Sequence, residues 1–386
     1  MFNRNQTDFP TFIHRALFCK ANFLLTPEIS LVGIKDEETK SAYMDLYHFL
    51  YDFYVDIYKN PQDYYLDTFG LEDLCKGKNW GIVKINAGWR KDNATIEKLD
   101  EIDISIFPWR FVWEILSKFH LEDNKAVFEK DIFNKLIKRF QKKCYPKPYL
   151  NTICKFLERN GIIVEETENN FVLSSQKYPA IFVVLKQWND LLTETNKTNK
   201  KYLYHSAFHH LDYRAFLPDW KISFEDVLYG FDDKTRDFIK EINDFMVSMK
   251  INCKIEREWS LEYKFKGKAL LNFHIADDRP FFRISMFNVF SEEYKLFESK
   301  VENLPNKDKI KSFCKKNAKR CRLCGCHPVP ASMLGAWIEV FGKKIKICGG
   351  SPFYGTSLLT KDCMEILKDL IKVRYDILKD IKNNGS

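Results

Sequence analysis

One stretch constrains this chain more than any other: Cys321-Arg322-Leu323-Cys324-Gly325-Cys326-His327, followed further on by Cys348. A Cys-x-x-Cys turn is just long enough for two sulfurs to reach one ion, and a closed tetrahedral site asks for four thiolate or imidazole donors. Cys321 and Cys324 meet the first requirement. Beyond Pro328 and Pro330, Ala336 to Phe341 and Lys343 to Cys348 read as two short strands turning at Gly342, which carries Cys348 back along the ribbon. Gly325 and Gly349 each follow a cysteine, where a tight turn beside a metal-bound sulfur often needs a positive φ. The expected ligands are Cys321, Cys324, Cys326 and Cys348, with His327 as the alternative to Cys326, and the expected ion is zinc. An iron-sulfur centre, or plain reduced or redox-active thiols, would use the same residues. If all four ligands come from protein the site is closed, and metal binding adds directly to the folding stability of a poorly cored segment.

Knuckle and hairpin together resemble a zinc ribbon. The chain departs from a full ribbon by offering Cys348-Gly349-Gly350 where a second Cys-x-x-Cys would stand. The resemblance implies a folding role for the metal.

The length of 386 residues exceeds one ordinary core and points to several domains. No segment has the ~18 uninterrupted apolar residues that span a bilayer, and the first twenty residues lack an apolar signal run. The expectation is a cytoplasmic protein without membrane contact. The cysteines are thinly spread as far as Cys253 and crowd into the final quarter, which suits reduced thiols plus one metal site better than a disulfide framework. A formal charge of +8 could assist binding to nucleic acid, but lysine is abundant everywhere and the sum alone decides nothing.

The overall expectation is an α+β, multi-domain chain: an aromatic-rich helical region over 1–105, a helix-and-hairpin domain over 106–190, and a linker with a histidine-rich segment over 191–225. An α+β domain over 226–320 and the cysteine cluster, hairpin and C-terminal helix over 321–386 complete it. Within the first region, Tyr43, Leu46, Tyr47, Leu50, Phe53, Tyr54 and Ile57 recur at three- and four-residue steps and predict a helix over Ser41 to Lys59. Tyrosines at this spacing are core far more often than a cofactor box.

From Pro108 the pattern predicts helices over Trp109–His120, Phe128–Gln141 and Tyr149–Arg159. A stop at Gly161 and strands Ile162–Glu166 and Asn170–Ser174 follow. Three helices followed by a hairpin resemble a winged helix. The resemblance implies that the third helix enters a DNA groove while its neighbours touch phosphate. Ten basic residues face three acidic ones between Lys125 and Asn160. The candidate contacts to DNA or RNA are Lys135, Lys138, Arg139, Lys142, Asn151 and Lys155. Many modules of this shape serve only as scaffolds or protein docks.

Thr193 to Lys201 has no apolar anchor and reads as a linker or exposed loop, with a domain boundary nearby. Next, His205 and His209 would share a helix face, with Asp212 completing a two-histidine, one-carboxylate metal site, although flanking aromatics favour ordinary packing. Asp232 to Met249 predicts an amphipathic helix with Phe238, Ile239, Ile242 and Met246 inward. Alternation around Trp259, Tyr263, Phe273 and Phe282 predicts a three-stranded antiparallel meander. Helices follow over Glu292–Glu302 and Lys307–Asn317, the latter opening a lysine-rich run to Arg320 that reads first as a solvated face. Cys363 joins Ile366, Leu367, Leu370 and Ile371 on the apolar face of a last helix.

Phosphate-binding glycine loops, dinucleotide fingerprints and a Gly-x-Ser-x-Gly elbow are absent from the sequence. The leading expectation is a zinc-stabilised regulatory or nucleic-acid-associated protein. The rivals are a small-ligand-binding or protein-interaction protein with a purely structural winged helix, whose aromatic sheet would form the pocket, and a metal-dependent enzyme built on His205, His209 and Asp212.

Overall fold

The computed structural model describes residues 18, 21–60, 118–141, 150–198, 201–256, 260–276, 279–285, 292–318, 336–347, 353–356 and 359–380. The chain divides into two compact units, Met1–Ile222 and Ser223–Ser386. Both combine helices with antiparallel sheet, as an α+β chain should. Among the described residues no helix is long and apolar enough to cross a membrane.

Unit 1 opens with α1 (Pro27–Ser30) and α2 (Glu37–Lys59). α2 starts where the Asp36 carboxylate accepts from the Thr39 amide at 2.7 Å, with Glu37 and Glu38 at the positive helix end. Pro61 comes two residues past its end, and the residue before a proline avoids helical backbone. The seven-residue stripe expected from the sequence is buried, with Phe49 added. Tyr43 stacks on Tyr213 at 4.2 Å between ring centroids, and the Tyr213 hydroxyl donates to the Tyr43 carbonyl at 2.8 Å.

The next elements are β1 (His120–Glu122), β2 (Lys125–Glu129), α3 (Lys130–Gln141), α4 (Leu150–Arg159), β3 (Ile163–Glu166) and β4 (Asn170–Ser174). Their strands form one antiparallel sheet in the order β1-β2-β4-β3. Two expectations are corrected here. His120 lies in a strand rather than ending a helix, and Phe128 belongs to β2 rather than to the following helix; residues 109–117 lie outside the described residues. The cause is a two-residue turn at Asp123 and Asn124, whose φ angles of 45° and 62° suit the twist of a hairpin. β2 is then a central strand covered on both faces, so Ala126, Val127 and Phe128 are buried in succession and show no period-two alternation.

α5 (Ile181–Thr195) and α6 (Lys201–His210) complete the unit, followed by a 3-10 turn at Tyr213–Phe216. The Thr193–Lys201 stretch is thus the junction of these two helices, both inside unit 1. Trp188, fully buried on α5, packs among Phe208, Tyr213 and Phe216, and one continuous cluster joins α2, the small sheet, α5 and α6.

Unit 2 begins at a capping box between Ser223 and Asp226 on α7 (Phe224–Leu228), then α8 (Asp233–Ser248), capped by Asp232. Phe238, Ile239, Ile242 and Met246 are buried as expected. The meander has four strands, not three: β5 (Cys253–Glu256), β6 (Ser260–Phe265), β7 (Lys268–Ala276) and β8 (Arg279–Ser285). A fifth strand, β11 (Phe353–Thr356), pairs with β8 and makes the sheet order β11-β8-β7-β6-β5. So short a segment, joined from far along the chain, leaves no local periodicity to read.

Between β8 and β11 lie α9 (Glu292–Glu302), α10 (Lys307–Asn317) and a separate hairpin of β9 (Ala336–Val340) and β10 (Lys343–Ile347). The last helix, α11 (Lys361–Asp380), packs on β7, β8, α8, α9 and α10 and buries Cys363, Ile366, Leu367, Leu370 and Ile371. Tyr263, Phe273 and Phe282, three of the residues expected to line a pocket, are each 1 % exposed. Phe273 lies 5.0 Å from Phe282, which meets Phe238 of α8 at 5.3 Å. That sheet face is filled by packing; Trp259 lies outside the described residues.

Candidate nucleic-acid interface

The helix pair of unit 1 is positioned by aromatic contacts beneath it. Phe133 of α3 lies 4.6 Å from Phe171 of β4 and 5.3 Å from Phe128 of β2, while Phe156 and Leu157 anchor α4. α4 ends at Gly161, whose φ of +84° and close approach to Lys177, 3.2 Å from where a Cβ would sit, both call for glycine. The Ile162 amide donates back to the Leu157 carbonyl at 2.9 Å, turning the chain into β3.

Three carboxylates on α2 hold this module. Asp56 accepts from Arg159 at 2.8 Å. Asp52 accepts from Lys177 at 2.8 Å and from the Tyr178 hydroxyl at 2.6 Å, and Asp45 accepts from the Ala180 amide at 2.8 Å. Burial raises the Asp45 carboxyl above its ordinary range. Burial also pushes Asp52 upward, but the bonds from Lys177 and Tyr178 prevail and leave it low. Sequence reading assigned none of these three a role, because the partners of an acid on a helix face lie more than a hundred residues away.

Lys135 on α3 and Lys155 on α4 are exposed to solvent. Lys138 and Arg139 lie in α3 and Asn151 in α4, whereas Lys142 lies outside the described residues. Other cations are engaged: Arg159 with Asp56, and Lys130 with Glu166 at 2.8 Å. The β3–β4 hairpin exposes Glu165, Glu166 and Glu168. From His120 to Ser174 the sequence holds ten Lys or Arg and eight Asp or Glu. The basic surplus between Lys125 and Asn160 is therefore reduced, though not cancelled, by the two hairpins that flank it. Phosphate would meet attraction at the helices and repulsion at the hairpin. Burial first, then Glu158 and Glu166, push the Cys154 thiol on α4 up, which favours its protonated form.

The histidine-rich helix does not assemble its expected triad. Asp212 is fully buried, and its carboxylate accepts from Arg214 Nε at 2.7 Å, Arg214 Nη2 at 2.9 Å and Trp220 Nε1 at 3.0 Å. His209 is exposed, His210 sits 2.9 Å from the Phe23 carbonyl, and His205 is half-buried. Among the described residues no group of three His, Cys, Asp or Glu side chains could hold a metal ion. Asp212 is committed to a guanidinium and an indole; it caps the 3-10 turn rather than facing an ion.

In unit 2, Cys321, Cys324, Cys326, His327 and Cys348 lie outside the described residues. The hairpin leading to Cys348 is described, and its strands agree with the expected spans to within a residue. Phe341 and Gly342 both have positive φ, 46° and 76°, which makes a two-residue turn of the hairpin type. Cys154, Cys253, Cys314 and Cys363 are free thiols. The chain matches no protein-family model, no curated protein and no solved structure.

Proposed function

We propose that this chain is a zinc-stabilised, nucleic-acid-associated protein whose unit 1 contacts duplex through a winged-helix-like module. The carrying observation is topological: a strand, two helices and a hairpin, with the first strand beside the last in the order β2-β4-β3. That is the arrangement in which the second helix faces a groove. β1 is an addition at the edge. Lys135 and Lys155 would meet phosphate, together with the register positions of Lys138, Arg139 and Asn151, and the acidic hairpin would stay clear of it.

Duplex binding measured by polarisation at several salt concentrations tests this. Binding should weaken steeply with salt, by a slope of about −0.9 per phosphate neutralised. The double variant Lys135→Glu/Lys155→Glu should abolish it. No duplex binding at about 50 mM salt would remove the reading.

The same module as a purely structural or protein-docking element is the second reading. It is favoured by the acidic hairpin and by the anchoring of Arg159, Lys177, Tyr178 and Ala180 to α2.

The zinc proposal assigns Cys321, Cys324, Cys348 and either Cys326 or His327 as ligands, a donor set of thiolate and imidazole that suits a closed tetrahedral site. Supporting it, β10 ends at Ile347, one residue before Cys348, on a hairpin of the expected form. One equivalent of zinc per chain, lost in Cys324→Ser, is the expected result; a metal-free chain would refute it.

A further inference from the structure

The β9–β10 hairpin has two unlike faces. Val340 and Ile345 are buried at 0 % and 3 % exposure, while Trp337 on the opposite face is 62 % exposed. Register places Lys346 directly across from Trp337, and Lys344 across from Glu339. Lys344 is exposed, and among the described residues it joins no ion pair. The ribbon is braced: its turn is the two-residue form, and the Phe341 amide donates to Glu298 of α9 at 2.7 Å.

We propose that this outer face binds single-stranded nucleic acid, with a base stacked on Trp337 and the adjoining phosphates drawn to the lysines of β10. The Trp337 indole, largely in water on a braced ribbon, offers a flat face on which a ring can stack. By register Lys344 and Lys346 share the Trp337 face with Glu339, and two lysines against one glutamate leave that face cationic. Lysine is depleted from protein–protein contacts, whereas an aromatic platform flanked by cations is what an unpaired strand requires. A duplex keeps its base faces stacked internally, so an indole platform selects unpaired bases. Lys344 is two residues along the ribbon from the position opposite Trp337, about 7 Å, which is close enough for one strand to engage both.

The hairpin belongs to unit 2 and the helix pair to unit 1, so each proposal is tested by its own variants. The experiment is fluorescence anisotropy of the full chain with a labelled oligothymidylate of about 16 nucleotides, alongside a mixed-sequence duplex. Trp337→Ala should weaken binding of the single strand roughly 5- to 150-fold, while Trp337→Phe should retain most of it. Lys344→Ala and Lys346→Ala should each reduce the salt slope by about 0.7. Unchanged unfolding midpoints show that the variants are folded. Lys135→Glu/Lys155→Glu should leave the Trp337-dependent single-strand binding intact. Wild-type protein that ignores the single strand at low salt, or Trp337→Ala that binds it as tightly as wild type, would overturn the proposal. So would a dimer that Trp337→Ala dissociates with no change in oligonucleotide affinity, since the face would then be covered by a second copy.

Discussion

The Asp212 corner of unit 1 and the β9–β10 hairpin of unit 2 use their polar groups in opposite directions. At Asp212, a residue type that suggests catalysis or metal binding is enclosed by Arg214 and Trp220, and every strong bond points inward. On the hairpin, Val340 and Ile345 face inward and the outer face keeps the Trp337 indole and Lys344 in water. The contrast teaches that chemically suggestive residues in a helix-rich aromatic core are usually satisfied there. Function is better sought where a rigid element leaves unsatisfied chemistry outside.

The comparison breaks most visibly at Asp212. Asp212→Ala removes the buried carboxylate that accepts from Arg214 and Trp220, and should destabilise unit 1 by about 3–5 kcal/mol in urea unfolding. An unchanged midpoint would mean that the corner is not structural. Within the hairpin, Ile345→Ala on the inner face should cost about 2–5 kcal/mol, while Trp337→Ala on the outer face should stay within about 0.5 kcal/mol. Equal losses at the two positions would erase the distinction between faces. A smaller change is expected at the β3–β4 hairpin: if the helices of unit 1 hold duplex, Glu165→Lys/Glu168→Lys should raise affinity and steepen its salt dependence by up to about 0.9 per added contact.

The smallest effect concerns pH. Burial, and then Lys201, hold the His205 imidazole below its ordinary value of 6.5, so the fold favours the neutral ring. The stability this brings is fully present above the unfolded value and is lost as pH falls through the folded one. Wild type should therefore lose more thermal stability than His205→Gln on acidification from about pH 7.5 to about pH 5. Parallel curves would show that the ring is indifferent to folding.

Legibility followed the range of the interactions. α2, α8 and α11 were readable because each repeats an apolar residue every three or four positions over several turns, and α9 and α10 were readable by their helical composition. The β9–β10 and β3–β4 hairpins were readable because turn residues separate two short alternating runs. The β1–β2 hairpin went unread, with His120 and Phe128 assigned to the flanking helices, since β2 is buried on both faces and loses its alternation, and Asp123-Asn124 is a less familiar turn pair than one ending in glycine. The α2 carboxylates were invisible because nothing near Asp45, Asp52 or Asp56 shows what will dock there.

The sequence by itself determined the class of the protein, most helices, the hairpin before Cys348 and the cysteines available for an ion. These depend on local propensity and periodicity, which each segment carries alone. Only the tertiary structure decided that Asp212 belongs to Arg214, that α4 and the segment after β4 are fastened to α2, that β11 completes the sheet of unit 2 and that Trp337 faces solvent. Burial and pairing are relations between distant segments, and no single segment encodes its partner.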